Sequence, residues 1–203
     1  MPKAFTPNDK YFYKAKREGY MARSVFKLEE IQNKFRLIQS GDKVLDLGCA
    51  PGSWMQYILK MIGEKGSLVG LDLQKVDIQK LPLSFKRGGR GVSFECDIFD
   101  NDKITCILGN LNFNVVTSDA APNTSGIHEV DCSKSEEICL QVLEIAKKYL
   151  RKNGSLIMKI FQGEDYGKVV NQTKEIFDRV TCFKPKACRD RSREIYIIGF
   201  RKK

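Results

Sequence analysis

The sequence predicts one α/β domain: a mostly parallel sheet of seven strands, ended by an antiparallel hairpin, with helices on both faces. Three observations carry this. Short apolar runs recur along the chain, several of them end in glycine or an acid, and helix-like stretches separate some of them. Parallel strands need crossover connections, and helices supply these while covering the sheet. A chain of 203 residues is long enough for one full core and short for two. Residues 1–203 are therefore read as a single domain, with 1–38 as a helical extension at its N-terminal end.

Residues 8–35 carry apolar side chains at helical spacing, with Val25, Leu28, Ile31 and Phe35 on one face, which predicts two short helices broken near Gly19. KVLDLG is the first strand-like run, followed by CAPGSW and a helix carrying Met55, Ile58, Leu59 and Ile62 up to Gly63. SLVGLD is the second run and ends in Asp72. VSFECD, NVVTSDA, GSLIMKIF and EIYIIGF follow, with helices expected over about 134–150 and 165–178. A strand-like segment near 180–184 lies just before EIYIIGF, the arrangement of a hairpin. The stretch from about 75 to 91, ending RGGRG, reads as a mobile surface loop rather than a domain boundary.

Thirty-five Lys and Arg against 25 Asp and Glu leave a formal net charge of +10, which favours a polyanionic partner. The excess is uneven. Lys3, Lys10, Lys14, Lys16, Arg17, Arg23 and Lys27 crowd the N-terminal end; Lys184, Lys186, Arg189, Arg191, Arg193, Arg201, Lys202 and Lys203 stand against Asp190 and Glu194 at the other. Both ends are candidate polyanion-facing surfaces, the alternative being solvated termini. The seven cysteines are odd in number, lack a CxxC pair and partly sit in strand-like runs, which points to reduced thiols inside a cell. His128 is the only histidine and reads as a loop residue, so no metal site is expected. No apolar stretch approaches the roughly 20 residues of a membrane helix, and there is no secretory apolar core at the N-terminus. A monomer without membrane contact is expected.

In an open α/β sheet, ligands bind outside the carboxyl ends of the strands, so the residues ending each run are candidates for a site. In DLGCAPGSW, Gly48 and Gly52 let backbone approach a ligand and Pro51 stiffens the turn. Asp72 lies about 20 residues after the glycine loop, the place of a carboxylate that accepts from a ribose diol. The loop lacks GxGxxG spacing and carries the bulky Trp54, which counts against a pyrophosphate and suits S-adenosylmethionine, a cofactor without phosphate. Asp97 is placed to accept from an adenine amino group. Ser53, Leu73 and Ile98 complete the candidate cofactor set, while Trp54 reads either as a cofactor contact or as a core side chain.

Lys159 sits inside the apolar run GSLIMKIF, where an ammonium is costly unless it is compensated or gives up its proton. Bringing a lysine from its reference value near 10.4 to roughly 7 or 8 takes about 4 kcal/mol, a reasonable desolvation effect, and makes it a base at neutral pH. The alternative is a strand-end ammonium that snorkels to solvent.

The strings MARSVFKL, DLGCAPGSW, SDAAPNTSG, KIFQGE and RSREIY, in this order, resemble the FtsJ/RrmJ (RlmE) ribosomal RNA 2′-O-methyltransferases, from about residue 9 onward. The resemblance implies a Rossmann-like class I methyltransferase fold, S-adenosylmethionine as cofactor, and cofactor contacts at Gly52, Trp54, Asp72, Asp97 and Asp119. It also implies a catalytic tetrad of Lys27, Asp119, Lys159 and Glu194 around the target hydroxyl. In that reading Lys159 is the general base, Asp119 orients its amine, and Lys27 and Glu194 position the ribose. Lys27 as a solvated helix residue, and Glu194 as a partner of Arg191 or Arg193, remain the ordinary alternatives.

The expected partner is then ribosomal RNA within the large subunit. SDAAPNTSG and FQGE resemble that branch more than the tRNA-anticodon or nucleolar ones, which implies a uridine near the peptidyl-transferase centre. The basic ends, the 1–38 extension and the Tyr11–Phe12–Tyr13 run would face RNA, with at least one of those rings clasping the first helix to the domain. The setting would be cytoplasmic in a bacterium and mitochondrial in a eukaryote. The competing classes are a tRNA or cap 2′-O-methyltransferase, a non-catalytic RNA-binding assembly factor, and a dinucleotide dehydrogenase.

Overall fold

The computed structural model of the chain describes residues 9–76, 90–164, 166–189 and 191–203. The expectations for Lys3, for Asp190 and for most of the loop at 75–91 lie outside the described residues. The N-terminal part forms α1 (Lys10–Arg17) and α2 (Val25–Phe35), separated by a turn at Gly19, whose φ is +76°. Asp9 caps α1 by accepting from the amides of Tyr11 and Phe12 at 3.1 Å. On α2, Val25, Phe26, Leu28 and Ile31 are buried, so the apolar stripe read from the spacing is the packed face.

The sheet contains β1 (Lys43–Leu47), β2 (Ser67–Asp72), β3 (Arg90–Glu95), β4 (Phe113–Ser118), β5 (Leu150–Phe161), β6 (Phe177–Phe183) and β7 (Glu194–Lys202) in the order β3-β2-β1-β4-β5-β7-β6. The first five strands run parallel; β7 lies antiparallel between β5 and β6. The remaining helices among the described residues are α3 (Ser53–Ile62), α4 (Asn101–Leu108), α5 (His128–Tyr149) and α6 (Tyr166–Ile176). The expected architecture is therefore observed.

Two core clusters lie on opposite sheet faces. Helices α1–α3 cover the face carrying Val44, Leu68, Val115, Ile157, Tyr196 and Ile198. Helices α4–α6 cover the face carrying Leu45, Leu71, Val116, Leu156, Met158 and Ile197. The strands alternate between the faces, as the two-residue side-chain period requires.

Two local expectations differ from the structure. His128 is not a loop residue but the first residue of α5, which begins before the expected 134 because Glu129 and Asp131 in its first turn suit the positive end of a helix. Helix α4 is short and half polar, with no long apolar stripe to announce it; Asp100 caps it by accepting from the Lys103 amide at 2.9 Å.

Candidate functional site

Strand order reverses between β1 and β4, and parallel strands that diverge there leave a crevice at their carboxyl ends. A cavity of about 440 Å³ opens at that point, lined by Gly48, Ala50, Pro51, Asp72, Leu73, Gln74, Cys96, Asp97, Ile98, Phe99, Asp119, Ala120, Ala121, Asn123 and Ile138. Of the sequence candidates, Gly48, Pro51, Asp72, Leu73, Asp97, Ile98 and Asp119 are in this lining. Gly48 has φ +72°, and a Cβ there would stand 2.6–2.8 Å from the Cβ, Cα and N of Ala120, so only glycine lets the two strand ends meet. Asp72 is held by the Ala50 and Gln74 amides, each donating at 2.9 Å, and Asp97 by the Phe99 amide at 3.0 Å, which aims both carboxylates without exhausting their lone pairs.

Gly52, Ser53 and Trp54 are not in the lining. Gly52 faces Val76, Ser53 Oγ lies 2.9 Å from Ser24 Oγ, and Trp54 is buried with its indole N–H donating to the Ser24 carbonyl at 3.0 Å. The Trp54 ring stacks on Tyr196 with centroids 5.9 Å apart, so the residue packs α3 against α2 and β7. A second cavity, of about 510 Å³, lies between α4 and α5 among Thr105, Gln141 and Lys148 and contains none of the predicted site residues.

Among the described residues, the lining of the 440 Å³ cavity holds three carboxylates and no lysine or arginine. Such a wall repels a pyrophosphate. It accepts a sulfonium, a ribose diol and an exocyclic amine, so the donor set fits S-adenosylmethionine.

Beneath the glycine loop, Asp46 is buried; Thr117 donates to its Oδ1 at 2.6 Å, and its Oδ2 has no hydrogen-bond partner among the described residues. Burial, more than the nearby Asp119 and Asp72 and despite the Thr117 bond, pushes its carboxyl up to about 7. A carboxyl raised on folding adds stability below its unfolded value, and that stability is lost as pH rises through the folded value. Between pH 5 and pH 8 the wild type should lose about 2–3 kcal/mol that Asp46→Asn does not lose, measured by urea unfolding at both pH values.

The second half of the site follows from strand register. Ser118 pairs with Met158 and Lys159 with Tyr196, so Asp119, just past β4, meets Lys159; Glu194 begins β7 opposite Phe161. Lys159 Nζ lies 3.1 Å from Asp119 Oδ1 and also donates to the Asp119 carbonyl oxygen. Lys27 Nζ donates to Glu194 Oε2 at 2.7 Å. The alternatives are thereby resolved: Lys27 is not a solvated helix residue, Lys159 is 7% exposed rather than snorkelled, and Glu194 pairs with Lys27 across 167 positions.

Burial alone would raise the Asp119 carboxyl, but the Lys159 and Lys27 charges, with hydrogen bonds from Tyr196 and Lys159, hold it below the usual carboxylate range. Burial likewise opposes the Lys27 ammonium, and Asp119 and Glu194 outweigh it, raising its titration above the ordinary lysine value. Two cations and two anions thus compensate one another in a partly enclosed space. Tyr196 completes the group: its hydroxyl donates to Asp119 Oδ1 at 2.7 Å, and the residue is fully buried. Sequence reasoning passed over it inside EIYIIGF, although its place two residues after Glu194 puts both on one strand face.

The chain matches the FtsJ-like methyltransferase family model over residues 20–202. It is 42% identical over 200 residues to a protein of Bdellovibrio bacteriovorus named ribosomal RNA large subunit methyltransferase E, covering 98% of this chain and 99% of that one. A crystal structure of a Plasmodium falciparum ribosomal RNA methyltransferase superposes with a TM-score of 0.75 at 26% identity, over 90% of this chain and 98% of that one. Aeropyrum pernix fibrillarin, crystallised with natively bound S-adenosyl-L-methionine, has a TM-score of 0.60 at 17% identity over 80% and 68% of the two chains, a likeness that concerns the fold.

Proposed function

The chain belongs to the FtsJ-like methyltransferase family, and from that premise we propose that it methylates the ribose 2′-hydroxyl of a uridine in large-subunit ribosomal RNA. Its coarse activity is S-adenosylmethionine-dependent methylation of ribosomal RNA. The single observation that carries the finer reading is the buried Lys159 amine, held by Asp119 at the carboxyl edge of the sheet beside the Lys27–Glu194 pair.

S-adenosylmethionine supplies a methyl group on a sulfonium when bound. Asp72 would hold its ribose diol and Asp97 its adenine amine, with Gly48 and Pro51 shaping the floor. Lys27 and Glu194 would orient the RNA ribose so that its 2′-oxygen faces the methyl group that the bound cofactor would supply. The hydroxyl proton would pass to Lys159 Nζ, which Asp119 aims through its carboxylate and carbonyl oxygens. Fixing the two reactants in line is worth roughly 7–11 kcal/mol, so most of the acceleration is positioning.

RNA would lie along exposed cations at both chain ends, including Lys10, Lys16, Lys184 and Arg191. The Tyr11 ring packs on Phe26 at 5.7 Å, while Phe12 and Tyr13 remain exposed for stacking on bases.

Transfer of labelled methyl to ribosomal particles, tRNA and capped RNA, offered separately, tests the proposal. Label is expected in large-subunit rRNA, at one ribose whose 3′ phosphodiester resists alkali and whose base is uracil. Label confined to tRNA or cap, or found on a base, would overturn it. Calorimetry is expected to show binding of S-adenosylmethionine and none of NAD.

A further inference from the structure

The groups assigned above leave one junction without a role, and it ties the N-terminal helices to the segment before β7. Glu30 lies on α2 three residues after Lys27. Its two carboxylate oxygens accept from two successive peptide amides, Lys186 N–H at 2.7 Å and Ala187 N–H at 2.8 Å. Arg23, paired with Asp9, donates to the Ala187 carbonyl, so that residue is held from both sides by side chains more than 150 positions away. The held segment is a turn, closed by the Cys188 amide donating to the Pro185 carbonyl at 3.0 Å.

Cys188 is buried beside the reactive group: burial first, then the Glu194 carboxylate, pushes its thiol up to about 12. The turn therefore walls one side of the Lys27–Glu194 pair. Its other side carries Lys184, Lys186, Arg189, Arg191 and Arg193, all exposed, on a loop that Lys184 Nζ closes by donating to the Ser192 carbonyl at 2.6 Å. Five cations against one acid, Asp190, leave this short stretch of sequence with a net positive charge that opposes its compaction. Hydrogen bonds from two amides to one carboxylate, roughly twice as strong as neutral ones, supply an anchor against that repulsion.

We infer that Glu30 is a positioning residue for RNA recognition: it fixes the 184–193 loop so that its cations meet consecutive phosphates in register with the ribose at Lys27 and Glu194. The inference rests on the RNA 2′-O-methyl transfer proposed above. It adds the element that sets how the polyanion is gripped.

The test uses full-length Glu30→Ala and Glu30→Gln, with KM for rRNA, kcat, cofactor Kd, Tm and the salt dependence of RNA binding. Glu30→Ala is expected to raise the RNA KM about tenfold and leave cofactor Kd within about twofold. Its plot of log affinity against log salt should be shallower by about 0.7–0.9 for each phosphate that is no longer neutralised. Glu30→Gln, which keeps one acceptor oxygen, should fall between the alanine variant and wild type. An unchanged KM and salt slope overturns the inference, as does a parallel loss of cofactor and RNA affinity, which signals general loosening. Should the alanine variant fail to fold, the glutamine variant decides: an RNA KM raised about threefold at unaltered Tm supports the role, and a wild-type KM removes it. Wild-type protein that binds rRNA without transferring methyl would defeat the proposed function, while the slope comparison would still judge Glu30.

Discussion

Lys159→Ala is expected to lower methyl transfer about 10²- to 10⁴-fold, the range that a positioned acid–base group supplies. Cofactor affinity should stay within about threefold of wild type, because Lys159 is absent from the cavity lining and the carboxylates that would grip the cofactor are untouched. Lys159→Arg separates charge from proton transfer. Its guanidinium can still pair with Asp119, but it does not give up a proton in the working pH range, so the arginine variant should be as inactive as the alanine one. Single-turnover rates with saturating cofactor and RNA check both. A variant retaining more than about a tenth of the wild-type rate removes Lys159 as the base.

Asp119→Asn is expected to produce the largest combined loss, in stability and in rate. The carboxylate serves Lys159, the nearby Lys27 charge and the Tyr196 hydroxyl at once, and the amide that replaces it cannot compensate two ammonium groups. Breaking such a pair from one side should cost about 2–4 kcal/mol at pH 7, discounted from a fully buried case because Asp119 keeps some exposure. The pH dependence carries its own sign. A carboxyl held below its ordinary value contributes stability that is present above the unfolded value and is lost as pH falls through the folded one. The wild type should therefore lose stability on acidification below the ordinary carboxylate range more steeply than Asp119→Asn, and their unfolding free energies should converge. Parallel curves would show that Asp119 is not the anion on which the cluster depends.

Much of this was legible in the residues because the relevant signals are periodic or punctuated. Strand runs ending in Gly48, Asp72 and Asp119 place their last residues at one edge of a parallel sheet, whatever the details of packing. Lys159 stood out as a lone cation in an apolar run, and the pairing of β4 with β5 brings it to Asp119. Trp54 was ambiguous because a bulky aromatic after a glycine loop has two uses, and only the fold shows its indole turned to Ser24 and Tyr196. Tyr196 and Glu30 were invisible for a different reason. Each acts across a sequence separation of 77 or more positions, and nothing local in EIYIIGF or KLEEIQ distinguishes a hydroxyl or carboxylate with a distant partner from an ordinary strand or helix residue.

The antiparallel β7 also makes the two halves of the site depend on separate stretches of the chain. Every described residue lining the 440 Å³ cavity falls between positions 48 and 138, whereas Glu194 and Tyr196 come from β7, antiparallel beside β5. Loss of Glu194 and Tyr196 alone would remove the counterion of Lys27 and the clasp on Asp119, while every described residue of the donor chamber would still be present in the sequence.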